Sequence, residues 1–142
     1  MAGITVKIDN ALLRRFERRA IKNWPREYGE LLYGRYRGSV VQIVEMVRVP
    51  YLAGTGHFWY DYEKIATERE SGKFLGTVHS HPDMLDERGE SLPIPSQTDW
   101  SEAIKNEELV HGICHIRVPR KRPRASTHFY LGYPCVLNLK RT

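Results

Sequence analysis

The segment from Phe74 to Pro82 constrains this chain more than any other. It starts as a short apolar strand, Phe74 to Val78, and ends in His79-Ser80-His81-Pro82. Residues i and i+2 of a strand share a face, so both imidazoles point one way and Ser80 the other. Pro82 stops the strand, because it has no amide to donate. Two histidines so placed form a bidentate metal clamp, or else are two polar side chains at a strand end. If the clamp is used, the fold must bring a third ligand to that strand end. A catalytic metal also needs one position left open for water.

Ser96-Gln97-Thr98-Asp99 offers the third ligand. Ser followed three residues later by an acid is also a capping box, and it opens a predicted helix over 96–106. The two readings are compatible, since an acid in the first turn faces whatever meets that helix end. The other histidines are weaker ligand candidates. His111 and His115 fall in a strand-like segment, where they would share a face about 13 Å apart. His57 lies in a glycine loop and His128 in a strand. Water on a metal also needs a base to take its proton. Glu27 and Glu30, both between a helix and a strand, are the candidates, and spacing does not choose between them.

Around this motif the chain reads as alternating short elements. Residues 3–8 alternate as a strand. Asp9 and Asn10 offer a cap for a helix over 11–23, with Leu13, Phe16, Ala20 and Trp24 on one stripe and Pro25 ending it. Residues 31–36 and 40–49 form a hairpin about Gly38-Ser39. Residues 50–57 are a loop. A second helix is expected over 58–71, with Gly72 as its stop. Residues 82–95 hold prolines and Gly89 and read as a loop. Strands follow at 110–118, 127–131 and 135–139, joined by 119–124 and 132–134. The whole chain, 1–142, is expected to be one α/β domain with a mixed, mostly antiparallel sheet flanked by helices.

Composition narrows the class. The chain has 142 residues, enough to bury a core without disulfides or a structural metal. It has no apolar stretch of membrane-spanning length, and the start reads as alternation instead of a signal peptide. Cys114 and Cys135 lie in apolar segments, which fits buried thiols in a reducing cytoplasm. The net charge is +5. Arg14, Arg15, Arg18, Arg19 and Lys22 line one helix face, and Arg117, Arg120, Lys121, Arg122 and Arg124 crowd one loop. Such patches serve solubility, or bind nucleic acid or an acidic protein surface; no nucleic-acid motif accompanies them.

Taken together, Glu27-Tyr-Gly-Glu-Leu-Leu-Tyr-Gly34, His79-Ser80-His81-Pro82 and Ser96-Gln97-Thr98-Asp99 resemble the JAMM, or MPN+, family of zinc metalloproteases. The element order agrees from about residue 5 to 140. The family's first segment runs Glu-x-x-Gly, two hydrophobic residues, x, Gly. Glu27, Leu31, Leu32 and Gly34 match it, and Glu30 stands where a glycine is usual. A second departure is the spacer. Seventeen residues separate His81 from Asp99, more than is usual in the family. The excess falls in Asp83 to Pro95, as a flap over the site or a plain surface loop.

The resemblance implies a JAMM/MPN domain with cytidine-deaminase-like layers. It implies that His79, His81 and Asp99 bind zinc, that Glu27 holds and deprotonates the attacking water, and that Ser96 donates to the oxyanion. It implies hydrolysis of an amide or isopeptide bond after the tail of ubiquitin or a ubiquitin-like protein. The chain looks like the compact prokaryotic members, some of which act with E1- and E2-like proteins in bacterial conjugation pathways linked to phage defence. Two alternatives stand beside this. Non-catalytic MPN scaffolds usually lose metal ligands, whereas this chain keeps all of them. Relatives linked to DNA repair carry Asn between the histidines, where this chain has Ser80, so nucleic acid is not the expected partner.

Overall fold

The Asp9 carboxylate accepts a hydrogen bond from the Ala11 amide at 2.7 Å, and with that cap the first helix, α1 (Asn10–Asn23), begins. This computed structural model describes residues 4–48, 52–54, 57–59, 62–81, 97–105, 107–117, 122–131 and 138–142. Leu13, Phe16 and Ala20 of α1 are fully buried, while Arg14 and Arg18 face solvent. The apolar stripe thus faces the sheet and the basic stripe faces out.

The main sheet is mixed. Its path runs β10 (Asn138–Arg141), β1 (Thr5–Ile8), β3 (Val40–Arg48), β2 (Gly29–Arg37), β7 (Gly72–Ser80), β8 (Val110–Arg117), β9 (Arg124–Leu131). Strand β6 (Glu68–Arg69) pairs with β7 off this path, and β4 (Leu52–Gly54) pairs with β5 (His57–Trp59) in a separate ribbon. Strand β1 runs parallel to both its neighbours, and β7 runs parallel to β8. The pairings β2–β3, β2–β7, β6–β7 and β8–β9 are antiparallel. The parallel step from β7 to β8 crosses over through the second helix, α2 (Gln97–Lys105). That crossover sets the position of the site, because ligands of such sheets gather at the carboxyl ends of the strands.

The helix expected over 58–71 does not form. That stretch holds β5, a 3-10 turn at Tyr62–Lys64 and β6. Gly72 is not a helix stop but the close of a tight β6–β7 turn, with φ at +131°. A Cβ there would sit 2.1 Å from the Gly34 carbonyl oxygen. The turn is fastened to β3: the Glu45 carboxylate accepts a short hydrogen bond from Ser71 Oγ and lies 3.2 Å from the Arg69 guanidinium. These long-range contacts outweigh local helical spacing.

Helix α1 packs on β3, β8 and β9. Beneath it lie Val6, Ile8, Tyr28, Leu32, Val78, Cys114 and Phe129. Alternation along β2, β7 and β8 sends Leu31, Thr77, His79, His111 and Ile113, all buried, to the opposite face. One face is thus an apolar core and the other carries a cluster of buried polar groups. Ser96, the 83–95 loop, residues 119–121 and 132–134, and Cys135 lie outside the described residues. Among the described residues, no helix is long and apolar enough to cross a membrane.

Candidate metal centre

Strand β7 delivers two histidines to one point. Their Nε2 atoms lie 2.8 Å apart, and the rings are tilted with centroids 4.7 Å apart. The first turn of α2 brings Asp99 to the same point. Its carboxylate oxygens lie 3.2 Å from His79 Nε2 and 2.9 Å from His81 Nε2. Ligands around one tetrahedral zinc stand about 3.3 Å apart, given zinc–nitrogen distances near 2.0–2.1 Å. The three donors therefore converge at, or slightly inside, the spacing that one ion imposes.

The donor chemistry agrees with a cation. Two imidazole nitrogens face each other beside a carboxylate, and a neutral ring can present a lone pair there. Burial pushes the His79 imidazole down to about 4, against the opposing pull of Asp99. Burial would raise Asp99, but hydrogen bonds and charge from His79 and His81 outweigh it and hold the acid well below the usual carboxylate range. Neutral imidazoles and an ionised carboxylate are the forms that ligate a metal.

Ser80, between the two histidines, faces the other way and ties the site to β2. Its Oγ accepts from the Tyr28 amide at 2.9 Å, and its own amide donates to the Tyr28 carbonyl at 2.8 Å. Gly29 pairs with His79 across the ladder, so Glu27 falls one step beyond Tyr28, beside His81. Glu27 is partly buried. Glu30 lies on the opposite face. It is fully buried, sits 3.4 Å from the Arg19 guanidinium and accepts from the Tyr28 hydroxyl at 2.8 Å. Of the two acids the sequence left open, only Glu27 stands on the histidine side of the sheet. Part of the basic stripe is also committed inward, with Arg19 on Glu30 and Arg15 on the Met46 carbonyl at 3.4 Å.

One residue set aside as a weak candidate proves to be close. His111 on β8 pairs across the sheet with Thr77 of β7. Its ring stands edge-on to His79 with centroids 5.2 Å apart. One donor atom each from His79, Asp99 and His111 lie within 4.8 Å of one another. Glu108 closes the floor, accepting from Thr77 Oγ1 at 2.5 Å. The His-x-His motif is visible in sequence, whereas His111 depends on the register of a parallel pair, which no local pattern announces.

Residues 9–128 match a protein-family model described as prokaryotic homologs of the JAB domain. No curated protein matches the chain. Solved structures do. The chain is similar to AF2198, a JAB1/MPN domain protein from Archaeoglobus fulgidus, with 20% identity, 100% of both chains covered and a TM-score of 0.59. It is similar to a structure described as "JAMM: a metalloprotease-like zinc site in the proteasome and signalosome", with 18% identity, 99% of both chains covered and a TM-score of 0.58. It is also similar to protein DSY2949 from Desulfitobacterium hafniense, with 15% identity, 96% of this chain and 92% of that one covered, and a TM-score of 0.59. At such identities the likeness is one of fold: a JAB/MPN-type mixed sheet with two helices.

Proposed function

From the premise that the chain belongs to the prokaryotic homologs of the JAB domain, we propose that it is a zinc-dependent hydrolase of amide or isopeptide bonds. The observation that carries this reading is the convergence of His79, His81 and Asp99 within 3.2 Å of one another. These three residues would hold the zinc. When bound, zinc supplies Lewis acidity, making water a nucleophile near neutral pH and polarising a carbonyl.

The protein's own groups supply the rest. Glu27, beside His81, accepts the proton of the attacking water and passes it to the leaving nitrogen. Ser80 fixes Tyr28, and so the backbone that carries Glu27. Ser96 donates a hydrogen bond to the developing oxyanion, a role that rests on the family resemblance. The substrate proposed is the C-terminal tail of a ubiquitin-like protein or its conjugate, within a bacterial conjugation pathway that has E1- and E2-like partners. An extended tail of that kind can add to a sheet edge.

The test is metal analysis together with an isopeptidase assay on a ubiquitin-like protein joined to a lysine peptide. The expected result is about one zinc per chain, as a three-ligand site holds, and cleavage abolished by Glu27→Gln with zinc retained. Zinc binding without cleavage of any such tail would leave a non-catalytic scaffold. Cleavage lost in Glu30→Ala but kept in Glu27→Gln would move the base to Glu30.

A further inference from the structure

We propose that His111 is a further nitrogen ligand of this metal centre, held in its ligating tautomer by Glu108. The inference rests on the zinc reading above and extends the set of donors. Its first support is position. His111 Nε2 is buried and makes no hydrogen bond among the described residues. A ring nitrogen of His111 lies within 4.8 Å of a donor atom on both His79 and Asp99, wider than the spacing of about 3.3 Å between ligands of one zinc, so the ring must close on the ion when it binds. Two imidazoles on one tetrahedral zinc place their ring centroids about 5 Å apart, given the usual zinc–nitrogen distances. His111 and His79 stand at 5.2 Å, and the two motif histidines at 4.7 Å.

The second support is the environment of the other ring nitrogen. Nδ1 of His111 faces Thr77 Oγ1 at 3.4 Å and Glu108 Oε1 at 3.5 Å. Thr77 spends its hydroxyl proton on Glu108 at 2.5 Å. Both atoms facing Nδ1 are therefore acceptors, so the network assigns the proton to Nδ1 and leaves a lone pair on Nε2. A carboxylate behind the far nitrogen is the arrangement that orients metal-bound histidines and raises their basicity. The Glu108 side chain is fully buried. Gly76 lies alongside: a Cβ there would lie 1.8 Å from the Val110 carbonyl oxygen, so the close approach of β8 excludes a side chain, and 3.3 Å from Glu108 Oε1.

With a fourth protein donor, water would take a fifth position, a coordination number that some catalytic zinc sites reach in the transition state. It would bind the ion more tightly than the three-ligand motif alone, and it would come from a strand that the motif does not include.

The experiment is X-ray absorption on the zinc-loaded parent protein, with zinc affinity measured by chelator competition in His111→Ala and Glu108→Gln. Three imidazoles per zinc are expected. Affinity should fall on the order of 10–100-fold in either variant. The visible spectrum of the cobalt-substituted protein should change in His111→Ala. Two imidazoles per zinc, or a folded His111→Ala with unchanged affinity and cobalt spectrum, would overturn the proposal and leave the three-ligand site intact. A parent protein that binds no zinc would instead overturn the metal reading itself. The absorption measurement needs no variant, so the proposal stays testable if His111→Ala fails to fold.

Discussion

Ser80 Oγ accepts the Tyr28 amide proton at 2.9 Å, and this side-chain bond adds to the backbone bond from the Ser80 amide to the Tyr28 carbonyl in joining the strand of the two histidines to the segment that carries Glu27. Both partners are almost fully buried. Removing the hydroxyl strands a buried donor, at a cost of about 1–3 kcal/mol. Ser80→Ala should therefore lower the urea-unfolding free energy by that amount. It should keep zinc stoichiometry, because the ligands are untouched, yet slow hydrolysis by loosening Glu27. A stability change under about 0.5 kcal/mol, the level of an ordinary surface substitution, would mean that the bond does not hold the segment.

Glu30 should behave in the opposite way to Glu27. It is fully buried, with Arg19 and the Tyr28 hydroxyl as partners, on the α1 side of the sheet. Burial and the Glu30 carboxylate together raise the Tyr28 phenol pKa. Glu30→Gln keeps an acceptor for Tyr28 but removes the charge that faces Arg19. Arg19 is one-third exposed, and water softens its loss, so about 1–3 kcal/mol of destabilisation is expected. Chemical denaturation reads the loss. Zinc content should not move, and a variant that loses zinc would place Glu30 in the site.

The motifs and the fold were legible in the sequence to different degrees. The helix over 11–23 was visible because its cap, stripe and terminating proline are all local. The hairpin about Gly38 was visible for the same reason. The His-x-His clamp and Asp99 were also legible, since strand alternation and a helix first turn fix where such side chains aim. The helix expected over 58–71 failed because Gly72 closes a turn against Gly34, a residue distant in sequence. The place of His111 beside His79 was not legible, because spacing from His115 says nothing of what lies across the sheet. Its relevant neighbour is Thr77, across a parallel pair whose register is set by the crossover through α2.

Acid should destabilise the metal-free protein through His79. Its folded pKa is pushed down to about 4 by burial, against an ordinary value of 6.5. Asp99 opposes that shift, while His81 and His111 add to it. Between these two pH values the unfolded chain binds more protons than the folded one, so stability falls as pH drops from 6.5 toward 4. Below 4 this group contributes no further slope. The total loss is on the order of a few kcal/mol, at about 1.4 kcal/mol per pKa unit. Saturating zinc should steepen the decline, because protons then compete with the ion for the imidazoles. Urea titrations at several pH values, with and without zinc, read both effects. A flat profile for the metal-free protein from pH 7 to 4 would contradict the shift.

Cys114 should be chemically silent in the folded protein. It is fully buried on the α1 face. Burial and the nearby Glu17 carboxylate push its thiol up to about 12, with a partial offset from Thr127. Thiolate is the reactive form, and at pH 8 a thiol with that pKa is ionised only about once in ten thousand. In a Cys135→Ser variant, iodoacetamide should leave the native protein unlabelled for hours and label it once in urea. Thr127 also donates to Glu17 at 2.9 Å, which pins β9 to α1 above the thiol. Thr127→Val should therefore speed labelling in native buffer by loosening that lid. Rapid stoichiometric labelling of the folded Cys135→Ser protein would show that the α1–β9 layer opens far more readily than its packing implies.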